Sequence, residues 1–442
     1  MTKFKIITLA IFIICIIVGV LTFALYKGNQ SSSALPPITI WGTFSQDVFN
    51  NYVASINNSI STQLSITYIQ ERPDTFGDDF VNALATGRGP DAILIPADMI
   101  LPEENKLTPI PFTALPERTF RDSYIQEANL YISPNGILAV PFTVDPLMMY
   151  WNRDTFNAAG IATYPRYWDE FTGTAQSPGL VQKLTITDQN STIRKTAIAM
   201  GNFSNITNAR EVLGSLLLQL GNPVTVASGN GMAVSTVKTA AATDPTPALQ
   251  YFSQFVDPTS PNYSWNAGMS NDKTAFLSGI SATYFGFASE LGDIRGKNPN
   301  LNFDIAPLPQ VRASNQTGAA GQKATYGKIY GFSLVRASTN VNVAYQVISI
   351  LTSPQYIAGL SQNLYLPSVR TDVIAQGSTD PYIKMFNDSA LVAKSWLDVD
   401  PTMSRKLFAS LIQAIVSGQK NTSQAIDDAG ASYDVILQKA AK

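Results

Sequence analysis

Asn135 to Phe171 reads NGILAVPFTVDPLMMYWNRDTFNAAGIATYPRYWDEF. Asn135 to Phe142 has the character of a strand, Trp151 ends another and Trp168 opens a helix, so both indoles are assigned to packing. Asp145 lies seven residues before Asn152. Upstream, Ile38 to Trp41 alternates apolar and polar residues as a strand does, and Gly42-Thr43 ends it. A helix follows from Gln46 to about Asn57, and Leu64 to Ile69 alternates again. Phe76 to Thr86 places Phe80, Leu84 and neighbouring alanines on one helical face, and Gly87-Arg88-Gly89-Pro90 stops it. Asp91 to Ile95 is a short apolar run suited to a buried parallel strand. Downstream the same style returns in Ser281–Phe287 and Ile329–Val335, the latter followed by a helix from Asn340 to Leu351. This rhythm predicts an α/β fold with helices on both faces of a sheet.

The chain's 442 residues exceed one ordinary core and predict two or three domains. Charged residues make up only 14% and the net charge is −2, with no basic block, which excludes nucleic acid as an expected partner. There is no histidine, so Ser-His-Asp and Cys-His catalysis and His-ligated zinc are ruled out. The one cysteine, Cys15, lies in an apolar N-terminal run, leaving the folded part without thiol or disulfide. No cofactor and no metal are expected.

Ile6 to Tyr26 carries no charge, and about 20 such residues span a bilayer as a helix. Lys3 and Lys5 precede it and favour an inside N-terminus. A cleaved signal would have an apolar region of roughly 7–15 residues followed by a small-residue cleavage pattern, whereas this run is longer and no A-x-A pattern follows it. A lipid-bearing cysteine would follow a small residue, whereas Ile14 precedes Cys15. The expectation is one uncleaved transmembrane helix over residues 1–27 and a flexible tether over 28–37, GNQSSSALPP.

The quoted stretch resembles the family 1 extracellular solute-binding proteins, the maltodextrin-binding-protein-like group. Gly136, Pro141, Asp145, Asn152, Asp154, Phe156, Ala159, Gly160, Pro165, Trp168, Glu170 and Phe171 follow that family's order. Trp151 stands where the family has a tyrosine. Ala85–Asp91 (ATGRGPD), Phe276–Pro309 and Leu411–Ile436 resemble further family segments. The resemblance implies a two-lobed, periplasmic-binding-protein-like α/β fold with ligand between the lobes. Crossovers near Val144–Leu147, Lys328–Phe332 and Gly377–Lys384 would give a first lobe of 38–145 and 331–378 and a second of 146–330 and 379–442.

By family position Trp41, Thr43 and Asp98 face the cleft from the first lobe. Asp145 and Tyr330 stand at crossovers, and Phe287, Ser289 and Arg405 stand in the second lobe. A Trp ring suits the C–H face of a sugar, and a carboxylate accepts from two hydroxyls. The bland alternatives are a core indole for Trp41, a helix-start aspartate for Asp98, a solvated hinge acid for Asp145, and packing for Phe287 and Tyr330. Ser289 and Arg405 occupy positions where the family often has aromatics, and a guanidinium at 405 would suit a carboxylate or phosphate. The resemblance implies a monomeric, non-enzymatic capture subunit of an ABC importer. It would be anchored on the extracytoplasmic side of the cell membrane, binding a small sugar-like ligand and meeting permease subunits. A ligand sensor for a membrane signalling protein, or a secreted carboxylate glycoside hydrolase, is the alternative.

Overall fold

The structure is a computed structural model that describes residues 35–60, 63–174, 176–190, 192–227, 233–238, 243–312, 322–398 and 400–440. The expected anchor and most of the tether lie outside the described residues. Among these residues no helix is long and apolar enough to cross a membrane.

One strand organises the molecule. Val140–Asn152 is 13 residues long and buried along its whole length. It extends the expected strand well past Phe142, because its apolar residues find partners on both faces. Its first half pairs antiparallel with Thr325–Val335, from Phe332 opposite Val140 to Gly327 opposite Pro146. Its second half pairs antiparallel with Thr283–Phe287 on one edge and Phe303–Pro307 on the other. Strand periodicity then sorts its side chains. Leu147, Met149 and Trp151 enter one core, with Phe156, Trp168 and Phe171. Met148 and Tyr150 enter another, with Phe276 and Tyr284. Burial on both faces explains why the stretch reads as a continuous apolar run. Its pairing shifts register beside Pro141, which has no N–H to give the ladder.

The other end of the sheet is the parallel part anticipated from the sequence. Ile38–Gly42 lies between Ile66–Gln70 and Ala92–Pro96, parallel to both. Ala92–Pro96 in turn pairs antiparallel with Thr325–Val335. The helix Gln46–Asn57 buries Phe49, Tyr52, Val53 and Ile56, the i, i+3, i+4, i+7 stripe of an amphipathic helix. Phe49 stacks on Tyr68 at 4.2 Å between ring centroids. These residues form a core with Phe142, Val144, Ile329 and Phe332 that is separate from the one holding Leu147 and Tyr326. Two lobes therefore share two strands, and each strand changes core within a few residues, at Val144–Leu147 and at Tyr326–Ile329.

The turn after the long strand shows how local sequence is used. Asn152 caps the helix Arg153–Ala158 by accepting from the Thr155 N–H at 2.9 Å. Gly160 closes it at φ +71°, a left-handed conformation that costs side-chain-bearing residues energy.

Candidate functional site

Several of the candidate side chains converge where the two shared strands pass from lobe to lobe. Lys328 faces Asp145 across the ladder. Its ammonium lies 4.1 Å from the centre of the Phe287 ring. Asp145 is buried, and one oxygen accepts from the Ser289 N–H at 3.0 Å. Burial pushes the Asp145 carboxyl up to about 6, against the pull of the Ser289 contact and of Lys328. Tyr330, two residues beyond Lys328, is half-buried and meets the Phe44 ring edge-on at 5.5 Å. Burial raises its hydroxyl pKa most, and the charges of Asp145 and Asp98 raise it further.

Asp98 arrives from the first lobe, on the short 3-10 turn Ala97–Met99 that follows the strand Ala92–Pro96. It is 7% exposed. Its hydrogen bond among the described residues comes from the Tyr326 hydroxyl, at 3.4 Å. Burial raises the Asp98 pKa, opposed first by Arg210 and then by Lys328.

Arg210 is one residue that sequence reasoning missed. It sits at the start of the helix Ala209–Gln219, every residue of which is buried, so no amphipathic stripe marks it. The guanidinium is 2% exposed and held mainly by the second lobe. Its Nη2 donates to Asp398 at 2.5 Å and its Nε to the Ser404 hydroxyl at 2.9 Å. Nη1 donates to Glu211 and to the Tyr326 hydroxyl, both at 3.1 Å. The Trp396 ring lies under it at 4.7 Å. Trp396 packs so close to the helix that a Cβ on Gly214 would come within 2.6 Å of the indole, so only glycine fits there. Asp98 stands 3.9 Å from Nη1, beyond hydrogen-bonding distance but within ion-pair range.

The remaining candidates divide. Trp41 and Thr43 lie half-buried at the C-terminal end of their strand. The Trp41 Nε1 is covered and has no acceptor among the described residues. Phe287 is buried and supports Lys328, while Ser289 is exposed and contacts Asp145 through its main chain. Arg405 does not join them. Its guanidinium donates to the carbonyls of Phe203, Ile206 and Thr207 at 3.3, 2.9 and 3.0 Å, and so ties a loop to the helix Pro401–Val416. The expectation of an anion-binding guanidinium at 405 gives way to that structural use. Lys328 opens the expected crossover Lys328–Phe332 but was not among the expected site residues. Its period-two relation to Tyr330 is the signal that would have found it.

Two lobes share two strands, and charged groups gather where those strands cross between them. The chain belongs to the bacterial extracellular solute-binding protein family, whose model matches residues 61–358. That family and the structures similar to this one are binding proteins, not enzymes. Among solved structures, the sugar-binding protein MalE from the phytopathogen Xanthomonas citri is 17% identical, with a TM-score of 0.69, 91% of this chain and 98% of that one being covered. The cyclic alpha-maltosyl-1,6-maltose binding protein from Arthrobacter globiformis is also 17% identical, with a TM-score of 0.67 and coverage of 91% and 99%. A solute-binding protein of an ABC transporter from Thermotoga lettingae, bound with alpha-D-tagatose, is 17% identical, with a TM-score of 0.65 and coverage of 91% and 99%. These likenesses establish the two-lobed fold. No curated protein matches the sequence.

Proposed function

We propose that the chain is the capture component of an ABC importer and binds a small carbohydrate or carbohydrate derivative between its lobes. The observation that carries this reading is the approach of Asp98 from one lobe to Arg210 of the other, beside the paired Asp145 and Lys328 of the shared strands, which in turn contact Ser289 and Phe287 of the second lobe. The sugars bound by similarly folded proteins support the ligand class. Closure needs a ligand that touches both sides, since binding shifts only an equilibrium between states it contacts differently. Trp41, Thr43 and Asp98 are assigned to the ligand from the first lobe, and Tyr330 from the second crossover. Phe287 and Ser289 are assigned from the second lobe, with Asp145 between. The first lobe is 38–145 with 331–378 and the second is 146–330 with 379–442. Residues 1–27 anchor the monomer to the cell membrane, with the lobes outside, where permease subunits receive the ligand.

Titration calorimetry with maltose, mannose and tagatose series tests the function. One ligand per chain is expected, with a smaller radius of gyration in the complex. Failure of every sugar to bind, or release of product that a single carboxylate substitution abolishes, would overturn it. The anchor has its own test: N-terminal sequencing of membrane-extracted protein should begin at or near Met1, and a start near residue 30 refutes it.

A further inference from the structure

We propose that the ligand of this cleft carries a positive charge, as an amino sugar or another amine-bearing polyol does. The inference rests on the reading of the interlobe cleft as the binding site and adds the ligand's charge. Arg210 already has Asp398 and Glu211 as partners within 3.1 Å. Asp98 comes to this group from the opposite lobe and finds the guanidinium committed, at 3.9 Å. The remaining cation, Lys328, acts on both Asp98 and Asp145. It forms no ion pair among the described residues, its ammonium lying over the Phe287 ring instead. Asp98, Asp145, Glu211 and Asp398 thus outnumber Arg210 and Lys328 in a buried space, while Glu127, on the far side of Asp98, has Lys394 acting on it.

A second observation points to a ligand donor. A carboxylate has about four acceptor positions. Asp98, 7% exposed, accepts one hydrogen bond, from Tyr326 at 3.4 Å, and Asp145, 6% exposed, has Ser289 as its one donor residue, among the described residues. Neither carboxylate has a fully covered oxygen without a partner among the described residues, so the open acceptor positions stay within reach of an outside donor, and charge this far removed from water is normally balanced. An ammonium with neighbouring hydroxyls meets both needs. A bound metal ion would also supply charge, but no group of three or more suitable side chains exists among the described residues to hold one. A ligand carboxylate or phosphate would add to the excess, and Arg405, the guanidinium that would have favoured one, is tied to main-chain carbonyls.

The test uses the full chain in detergent and matched probes of gluco, manno and galacto configuration. Each is offered as the neutral sugar, the 2-amino-2-deoxy sugar and the uronic acid. Calorimetry is run at pH 6.5 in two buffers of different ionisation enthalpy. The expected result is that an amino sugar binds at least tenfold more tightly than its neutral partner, with no proton taken up. Asp145→Asn should remove that preference while melting like the parent at low pH. Equal or tighter binding of the neutral sugar, with uptake of about one proton, would show that protonation of Asp98 or Asp145 supplies the balance; it would overturn the inference and leave the carbohydrate reading intact. Preference for a uronic acid overturns it too. No binding by any probe sinks the carbohydrate reading and this one together.

Discussion

Arg210 and Arg405 are both arginines of the second lobe, yet burial gives them different energetic weight. Removing one partner of a buried ion pair leaves the other charged and unpaired, which costs about 3–5 kcal/mol. Arg210→Ala strands Asp398, which is fully buried, and Glu211, so urea denaturation should show a loss of that order. Arg405→Ala removes bonds to three carbonyls of a half-buried loop, and a loss of about 1–3 kcal/mol is expected, with ligand affinity changed less than threefold by calorimetry. Asp145 makes a prediction of opposite sign. Its pKa is raised from 3.8 to about 6, so the folded protein holds this proton more tightly than the unfolded chain. The associated stability is fully present below pH 4 and is lost as pH rises through about 6. Asp145→Asn should therefore raise the melting temperature at pH 7.5 and leave it unchanged near pH 4, although it weakens ligand binding. Melting curves of both proteins at the two pH values decide this.

Elements carry these residues to one place. Because Val140–Asn152 and Thr325–Val335 each run through both lobes, side chains near their crossovers stand between the two cores. Lys328 and Tyr330 share one face of the second strand, and Asp145 meets Lys328 from the first. The turn after the first strand depends on Gly160, which adopts φ +71° with open space where a Cβ would stand. Gly160→Ala tests the backbone alone. A loss of about 1–2 kcal/mol is expected, read as a lowered urea midpoint with unchanged slope, since nothing collides. No change would mean that the turn relaxes to another conformation.

At the scale of the molecule, two cores are joined by two strands, and hinge closure around a ligand is an established domain motion that the proposed binding role calls for here. A ligand at 100 times its dissociation constant should stabilise the folded chain by about 2.7 kcal/mol. In a two-lobe protein this appears as a rise of a few degrees in melting temperature. Trp41→Ala should weaken binding about tenfold if the indole packs on ligand, since one aromatic contact is worth roughly 0.5–1.5 kcal/mol beyond its area. Unchanged affinity in a folded variant would return Trp41 to the core.

Local periodicity was enough to place the helix Gln46–Asn57 and the strands Ile38–Gly42 and Ala92–Pro96 within a residue or so, because each buries a regular face. The order of residues from Gly136 to Phe171 carried the family, since it records a strand, a cap at Asn152 and a left-handed turn at Gly160 that depend only on neighbours. The length of the strand through Asn152 was hidden, because a run buried on both faces has no alternation to display. Arg210 was hidden for a related reason: its helix is buried all round, and its partner Asp398 lies 188 residues away. Whether an arginine binds an anion, clamps a loop or neutralises a buried aspartate is decided by which groups fold around it. Only the tertiary structure brings Asp98, Arg210 and Asp398 into one desolvated space where their charges act on each other.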